Sequence, residues 1–357
     1  MIEIIMPSLP SINLKRMLNS ISDLDHKLHQ DKKSLPTLTY KKLLFVIEVG
    51  PSGFDLPMLE LFEELSQRGP LALEGSTAGI LISSPNQLYT KSVAAHFTLL
   101  ANQMGARFIG HSVVEATEGL NNFLTWQKAT ALSLEEISKQ QSRQLATRLL
   151  QYQPKILVKP KLVVLHSSTR STSNTLMLWS MIKEELSGYD IEEIHVENGS
   201  VYDCFGCSFK ACVNYSLKDS CYYGGVMTEE ILPAIEGADA LVWICPNYND
   251  AISSNLTAVI NRLTTLYRKI KFYDKSIFGV IVSGNSGSDS IAKQLIDALN
   301  INKGFQLPPG FSIMEIANDM GAILKVPDIK EKAKAFAENI KKEIKASQDL
   351  IQNNPEA

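Results

Sequence analysis

Several features that would fix the class of this chain at once are missing. Only five of its 357 residues are cysteine, too few for a disulfide scaffold. It has no run of 18 apolar residues, so no membrane-spanning helix is expected. Met1 to Ser20 lacks a basic stretch followed by an apolar one, so no secretory signal is expected and cytoplasm is the expected compartment. Neither sign of charge is in excess. A net charge of −3 gives no electrostatic footprint for nucleic acid and no polybasic segment for a membrane surface. The nucleotide-triphosphate loop Gly-x-x-x-x-Gly-Lys and the dinucleotide glycine fingerprint are both absent, as is His-Glu-x-x-His. All six histidines lie at or before His195. An α/β-hydrolase triad needs its histidine last in chain order, so that class is disfavoured.

What remains is ordinary globular material, 45% hydrophobic and 20% charged, long enough for two domains. Residues 1–40 are polar and mixed, broken by Pro7, Pro10 and Pro36, and read as an N-terminal extension. Leu43 to Ile47 is a buried strand, and Leu56 to Gln67 follows as a helix. Ala78 to Ile82 is a second buried strand. A helix over about 88–104, a short strand at Arg107 to Ile109 and a long helix over Thr125 to Leu150 complete this half. After a linker with Pro154 and Pro160 the pattern restarts. Strands are expected at Leu162 to Leu165, Ile191 to Val196, Ala240 to Ile244 and Ile277 to Val282, with a short one near Ile313. Helices lie between them, including one over about 254–268.

Strands alternating with helices predict parallel sheets covered on both faces. The expected architecture is α/β, with two three-layer units. They span 41–155 and 160–345, and a tail covers 346–357. Ser84-Pro85-Asn86 and Cys245-Pro246-Asn247 each close an apolar strand ahead of a helix, which reads as an internal duplication. The helix over 328–344 shows a packing face of Ile329, Ala333, Phe336, Ile340 and Ile344.

The segment Ser167-Ser168-Thr169-Arg170-Ser171-Thr172-Ser173-Asn174-Thr175 joins a buried strand to a helix. It offers hydroxyls, an amide, a guanidinium and the free N–H groups of a helix start, a donor set suited to a phosphate dianion. The alternative is a serine-rich turn that only caps the helix. In the first half Gly50 to Asp55 stands in place of such a loop, and Asp55 would repel a phosphate, so one anion site per chain is expected. Cys204, Cys207, Cys212 and Cys221 fall within eighteen residues. Four thiolates suit a [4Fe–4S] cluster or an all-cysteine zinc site, with structural or redox-active free thiols as the alternative. Cys245, at a buried strand end, reads as a core residue.

The Ser/Thr/Arg/Asn loop resembles that of the flavodoxin-like NADPH-dependent FMN reductases and their iron–sulfur flavoprotein relatives. Pro246-Asn247-Tyr248-Asn249 followed by Ile260-Asn261-Arg262 is similar to the family's second signature. Ser283-Gly284-Asn285-Ser286-Gly287 stands where its third loop would be, and the cysteines lie between the first two. The resemblance covers roughly 160–320. It implies that Ser167, Ser168, Thr169, Arg170, Thr172, Ser173, Asn174 and Thr175 hold the FMN phosphate. It also implies that Pro246, Asn247, Tyr248, Asn249, Ser283, Gly284, Asn285 and Gly287 border the flavin ring, and that the first half is a degenerate flavodoxin-like domain.

The implied activity is NAD(P)H-dependent FMN oxidoreduction towards a small-molecule or protein electron acceptor. A non-enzymatic FMN electron carrier, with or without iron–sulfur, is the alternative. Family members pair with the flavin near the interface, so the degenerate half is expected to act as a built-in partner, or the chain to homodimerise. Three departures stand out: His166 in place of glycine, Asn261 in place of aspartate, and Tyr222-Tyr223-Gly224-Gly225 in place of paired acids.

Overall fold

In the computed structural model, which describes residues 1–157, 159–218 and 220–344, the chain divides into two compact units. The first comprises Met1–Gln153 and Asn300–Gly310; the second comprises Pro154–Leu299 and the chain from Phe311 onward. The tail predicted over 346–357 lies outside the described residues. No helix among the described residues is long and apolar enough to cross a membrane.

The first unit has five parallel strands: β1 (Ile2–Ile5), β2 (His26–His29), β3 (Lys42–Glu48), β4 (Thr77–Ser83) and β5 (Arg107–Ala116). They lie in the order β2-β1-β3-β4-β5. Its helices are α1 (Ile12–Asn19), α2 (Leu56–Gln67), α3 (Thr90–Gln103), α4 (Leu124–Gln127) and α5 (Leu134–Gln151). One face of the sheet, Ile2, Ile4, Leu44, Val46 and Leu81, packs on Leu14 and Met17 of α1 and on Ile137, Leu145 and Leu149 of α5.

Residues 1–40 are therefore not an extension. They supply β1, α1 and β2, and β1 pairs with both β2 and β3. A four-residue strand with a carboxylate inside it carries little periodic signal. That carboxylate, Glu3, is buried and meets Nε2 of His29 across the ladder at 2.6 Å. The short strand predicted at 107–109 runs on to Ala116 through a register shift opposite Ala78/Ile80, with His111 at φ 51°. A bulge absorbs the extra residues that had read as a stop. The predicted helix over 125–150 is two helices. The second is started by Ser133, whose side chain and Glu136 form a reciprocal capping box.

The second unit repeats the plan with β6 (Lys161–His166), β7 (Asp190–His195), β8 (Ala240–Pro246), β9 (Ser276–Ser283) and β10 (Ser312–Ile316). All are parallel, in the order β7-β6-β8-β9-β10. Between them run α6 (Asn174–Glu185), α7 (Phe209–Ser216), α8 (Leu232–Gly237), α9 (Ser254–Arg262), α10 (Thr264–Lys269) and α11 (Ser288–Leu295); α12 (Ile329–Glu343) closes the unit. The single helix predicted over 254–268 divides at Leu263. On one face Leu162, Val164, Val242, Ile244, Phe278 and Val280 pack against Leu178 and Ile182 of α6 and Phe336 and Ile340 of α12.

Each sheet thus has the order 2-1-3-4-5 of the flavodoxin-like fold, whose ligand crevice lies outside the carboxyl ends of strands one and three. The shared order corrects the register of the internal repeat. Ser84-Pro85-Asn86 follows the fourth strand of its sheet, whereas Pro246 ends the third. Likewise the counterpart of the Ser/Thr loop is not Gly50–Asp55, which follows β3, but Met6–Ser11, which follows β1. There the Ser8 hydroxyl donates to Asp55 and the Ser11 N–H donates to Glu48 at 2.7 Å. The first unit's own carboxylates take up donors that an anion would need. Burial raises the pKa of both carboxyls above the usual range.

Candidate functional site

A cleft of about 630 Å³ opens at the carboxyl ends of β6, β8, β9 and β10, within the range of small-molecule sites. Its floor is the turn from β6 into α6. The Ser173 N–H closes on the Arg170 carbonyl at 2.9 Å, and the Ser173 carbonyl accepts from Met177 at 2.9 Å, which sets the first turn of α6. The N–H groups of that first turn have no partner within the helix, and the helix dipole favours negative charge there.

The predicted phosphate residues fall into two groups. Thr169, Arg170 and Thr172 line the cleft, and among the described residues their side chains make no hydrogen bond or ion pair. They are the open donors. The others are internally engaged. Ser167 Oγ lies 2.7 Å from Ser253 Oγ, and Ser173 Oγ lies 3.3 Å from Ser168 and 2.9 Å from Thr175. Asn174 also lines the cleft, with its amide engaged by the chain after β10. Its Nδ2 donates to the carbonyls of Ala317 at 2.9 Å and Asp319 at 2.8 Å, and its Oδ1 accepts from Ile323 N–H at 3.2 Å.

The loops after β8 and β9 form the opposite wall. Asn249 and Asp250 are both left-handed, with φ 54° and 58°, a conformation Asn and Asp tolerate best after glycine. The Asn247 side chain knits the two loops. Its Nδ2 reaches Asp250 Oδ1 at 3.0 Å, Ser283 Oγ at 3.1 Å and the Ser286 carbonyl at 3.1 Å. A side-chain carbon at Gly287, where φ is +87°, would lie 2.0 Å from Asp250 Oδ1. Glycine is strongly favoured there. Tyr248 borders the cleft and is largely exposed, and Asn285 caps the Ser286 N–H at 2.6 Å. Sequence reasoning missed Asp250, whose adjacency to Asn249 is itself a turn signal. It also missed Ala317, Asn318 and Met320 after β10, which line the cleft but belong to no recognisable motif.

His166, beneath the phosphate turn, stacks on His195 with ring centroids 4.8 Å apart. Burial holds its imidazole below the ordinary histidine range, and His195 adds to this; Glu193 and a bond to the Ser168 backbone pull the other way. Asn261 and Arg262 do not reach the cleft. They anchor the cysteine-bearing excursion: Asn261 donates to Asp203 at 2.8 Å, and Arg262 donates to the carbonyls of Tyr202 at 3.4 Å and Gly224 at 3.0 Å.

The four cysteines are not gathered as ligands. Cys204 and Cys207 are exposed, Cys212 and Cys221 half-buried. Among the described residues no group of three or more His, Cys, Asp or Glu is placed to hold a metal ion. This arrangement gives the predicted cluster site no support. Cys245 is buried in the core, and burial pushes its thiol up to about 12.

The segment that builds this cleft, 160–319, matches the model of the NADPH-dependent FMN reductase family. The match covers under half of the chain. It indicates an NAD(P)H-dependent FMN oxidoreductase domain over residues 160–319. No curated protein matches the chain. Among solved structures, an azoreductase from Bacillus anthracis str. Sterne is 14% identical at a TM-score of 0.39, covering 50% of this chain and 98% of that one. An NAD(P)H:quinone oxidoreductase from Methanothermobacter marburgensis is 15% identical at 0.38, covering 52% and 98%. An FMN-dependent NADH-azoreductase from Bacillus anthracis str. Ames Ancestor, in complex with FMN, is 13% identical at 0.35, covering 51% and 99%.

Proposed function

We propose that the second unit of this oxidoreductase holds one FMN in its cleft, uses NAD(P)H as donor, and delivers electrons to a small-molecule acceptor. The observation that carries this reading is the set of open donors, Thr169, Arg170 and Thr172, at the start of α6 in a cleft of about 630 Å³. A dianion there meets first-turn N–H groups, two hydroxyls and a guanidinium, each bond charge-assisted. Asn247, Tyr248 and Gly284, from the loops after β8 and β9, line the same cleft and would border the ring. Bound FMN would supply the hydride and electron chemistry, so the protein needs no general acid or base of its own. The chain's residues bind and orient. Asn247 fixes the spacing of the two ring loops, and the exposed Tyr248 leaves one side of the cleft open to a nicotinamide.

The first unit has no such donor set, because Glu48 and Asp55 engage the loop after β1. One FMN per chain is the consequence. The test is anaerobic mixing of the FMN-loaded chain with NADPH or NADH. Bleaching of the flavin absorbance, followed by recovery on adding a quinone, is expected. A flavin that stays oxidised with both nucleotides would overturn the enzymatic reading.

A further inference from the structure

The flavin reading above assigns three loops to the cofactor. We infer that a fourth, Ala317–Met320 after β10, completes the site: Asn318 contacts the ribityl–phosphate arm, and Asn174 is the positioning residue that holds the loop in place. The inference rests on the flavin reading.

Three observations place the loop there. Ala317, Asn318 and Met320 line the same cleft as Thr169 and Arg170. The Asn174 side chain, at the first residue of α6, binds the loop at the carbonyls of Ala317 and Asp319 and the turn just after it at the N–H of Ile323. The loop is thereby fixed beside the helix start that would receive the phosphate. A further bond from the Ala317 N–H to the Ser283 carbonyl at 2.9 Å ties it to the end of β9.

The fourth loop also fits tightly against the third. A side-chain carbon at Gly284 would lie 3.0 Å from Asn318 Oδ1, so glycine there leaves room for the Asn318 amide. That amide is exposed and has no hydrogen-bond partner among the described residues. An open amide held at the mouth of an anion-binding turn is a ligand donor, whereas Asn174, the asparagine that motif reasoning selects, is fully engaged as a brace. Alone, Asn318 would be one more surface amide. Held by Asn174 and accommodated by Gly284, it keeps a fixed position, and preorganisation limits the entropy lost on binding.

The test is a fluorescence titration of the full chain, stripped of flavin, with FMN and with riboflavin. Asn318→Ala should weaken FMN about five- to tenfold, the loss of one hydrogen bond. Asn318→Asp should weaken FMN further while affecting riboflavin much less, because only FMN presents a phosphate to the new carboxylate. Asn174→Ala should weaken FMN at least as much as Asn318→Ala, and the double variant no more than Asn174→Ala alone, because both act through one contact. The visible circular dichroism of bound flavin should change alike in both alanine variants. Wild-type FMN affinity in Asn318→Ala, losses that multiply in the double variant, or equal effects of Asn318→Asp on both ligands would overturn the inference. If Asn174→Ala does not fold, the two Asn318 variants decide. A wild-type chain that binds no FMN would overturn the flavin reading itself, and this inference with it.

Discussion

Single residues carry charge and proton chemistry here that can be read separately. The His166 imidazole is held below its ordinary range mainly by burial, so the unfolded chain takes up a proton near pH 6.5 that the folded chain refuses. Stability therefore falls as pH drops through about 6.5 toward the folded value. The raised carboxyls Glu48 and Asp55 act in the opposite sense. The folded state keeps their protons longer, and stability lost at higher pH returns as pH falls toward about 4. Comparing wild type with His166→Asn isolates the histidine. The variant should show a smaller decline in melting temperature between pH 7 and 5.5 than wild type, measured by thermal scans of flavin-free protein. Thiol reactivity divides as sharply. Cys204 and Cys207 are exposed, while the buried Cys245 thiol is pushed up to about 12. Timed alkylation with mass spectrometry should label the first two within minutes and leave Cys245 unmodified until the chain unfolds.

At the scale of elements, the two ring loops depend on backbone that only certain residues adopt. Gly287→Ala adds a carbon at φ +87°, 2.0 Å from Asp250 Oδ1. It should cost about 1–3 kcal/mol and weaken flavin binding by displacing Asp250 from Asn247; denaturant unfolding and FMN titration check the two effects. Most elements were legible because their apolar runs are long. Lys42–Glu48, Thr77–Ser83, Ala240–Pro246 and Ser276–Ser283 read as strands from Leu43-Leu44-Phe45-Val46-Ile47 and its like. The region 1–40 was not, because β1 is four residues long and holds Glu3, whose burial is compensated by His29 from a strand pairing no local pattern announces. The break before α5 was visible in Ser133-x-x-Glu136 but masked by the helical composition around it. At the site, the phosphate turn was legible from donor chemistry. The side-chain direction of Asn174 was not, since it is set by a loop about 143 residues downstream in the chain. The cysteine spacing suggested ligands, yet Arg262 and Asn261 hold that excursion by its ends without gathering the thiols.

At the scale of the whole molecule, the chain path limits how it can be divided. Asn300–Gly310 lies between α11 and β10 in sequence yet belongs to the first unit. There Phe108 and Leu307 exchange backbone hydrogen bonds, both at 2.9 Å, and Phe305 and Leu307 are fully buried. A fragment of residues 154–357 would expose both side chains, and it should aggregate when expressed where the full chain does not, as size-exclusion chromatography will show. The two sheets share one strand order, but only the second has open donors at the loop after its first strand. The central claim is that this turn grips a phosphate. Its most direct measurement is a titration of flavin-free wild type and Arg170→Ala with FMN and riboflavin. The account predicts one FMN per chain and a loss of roughly ten- to a hundredfold in FMN affinity on removing the guanidinium, with riboflavin binding unchanged. Equal FMN affinity in the two proteins, or two FMN per chain, would contradict it.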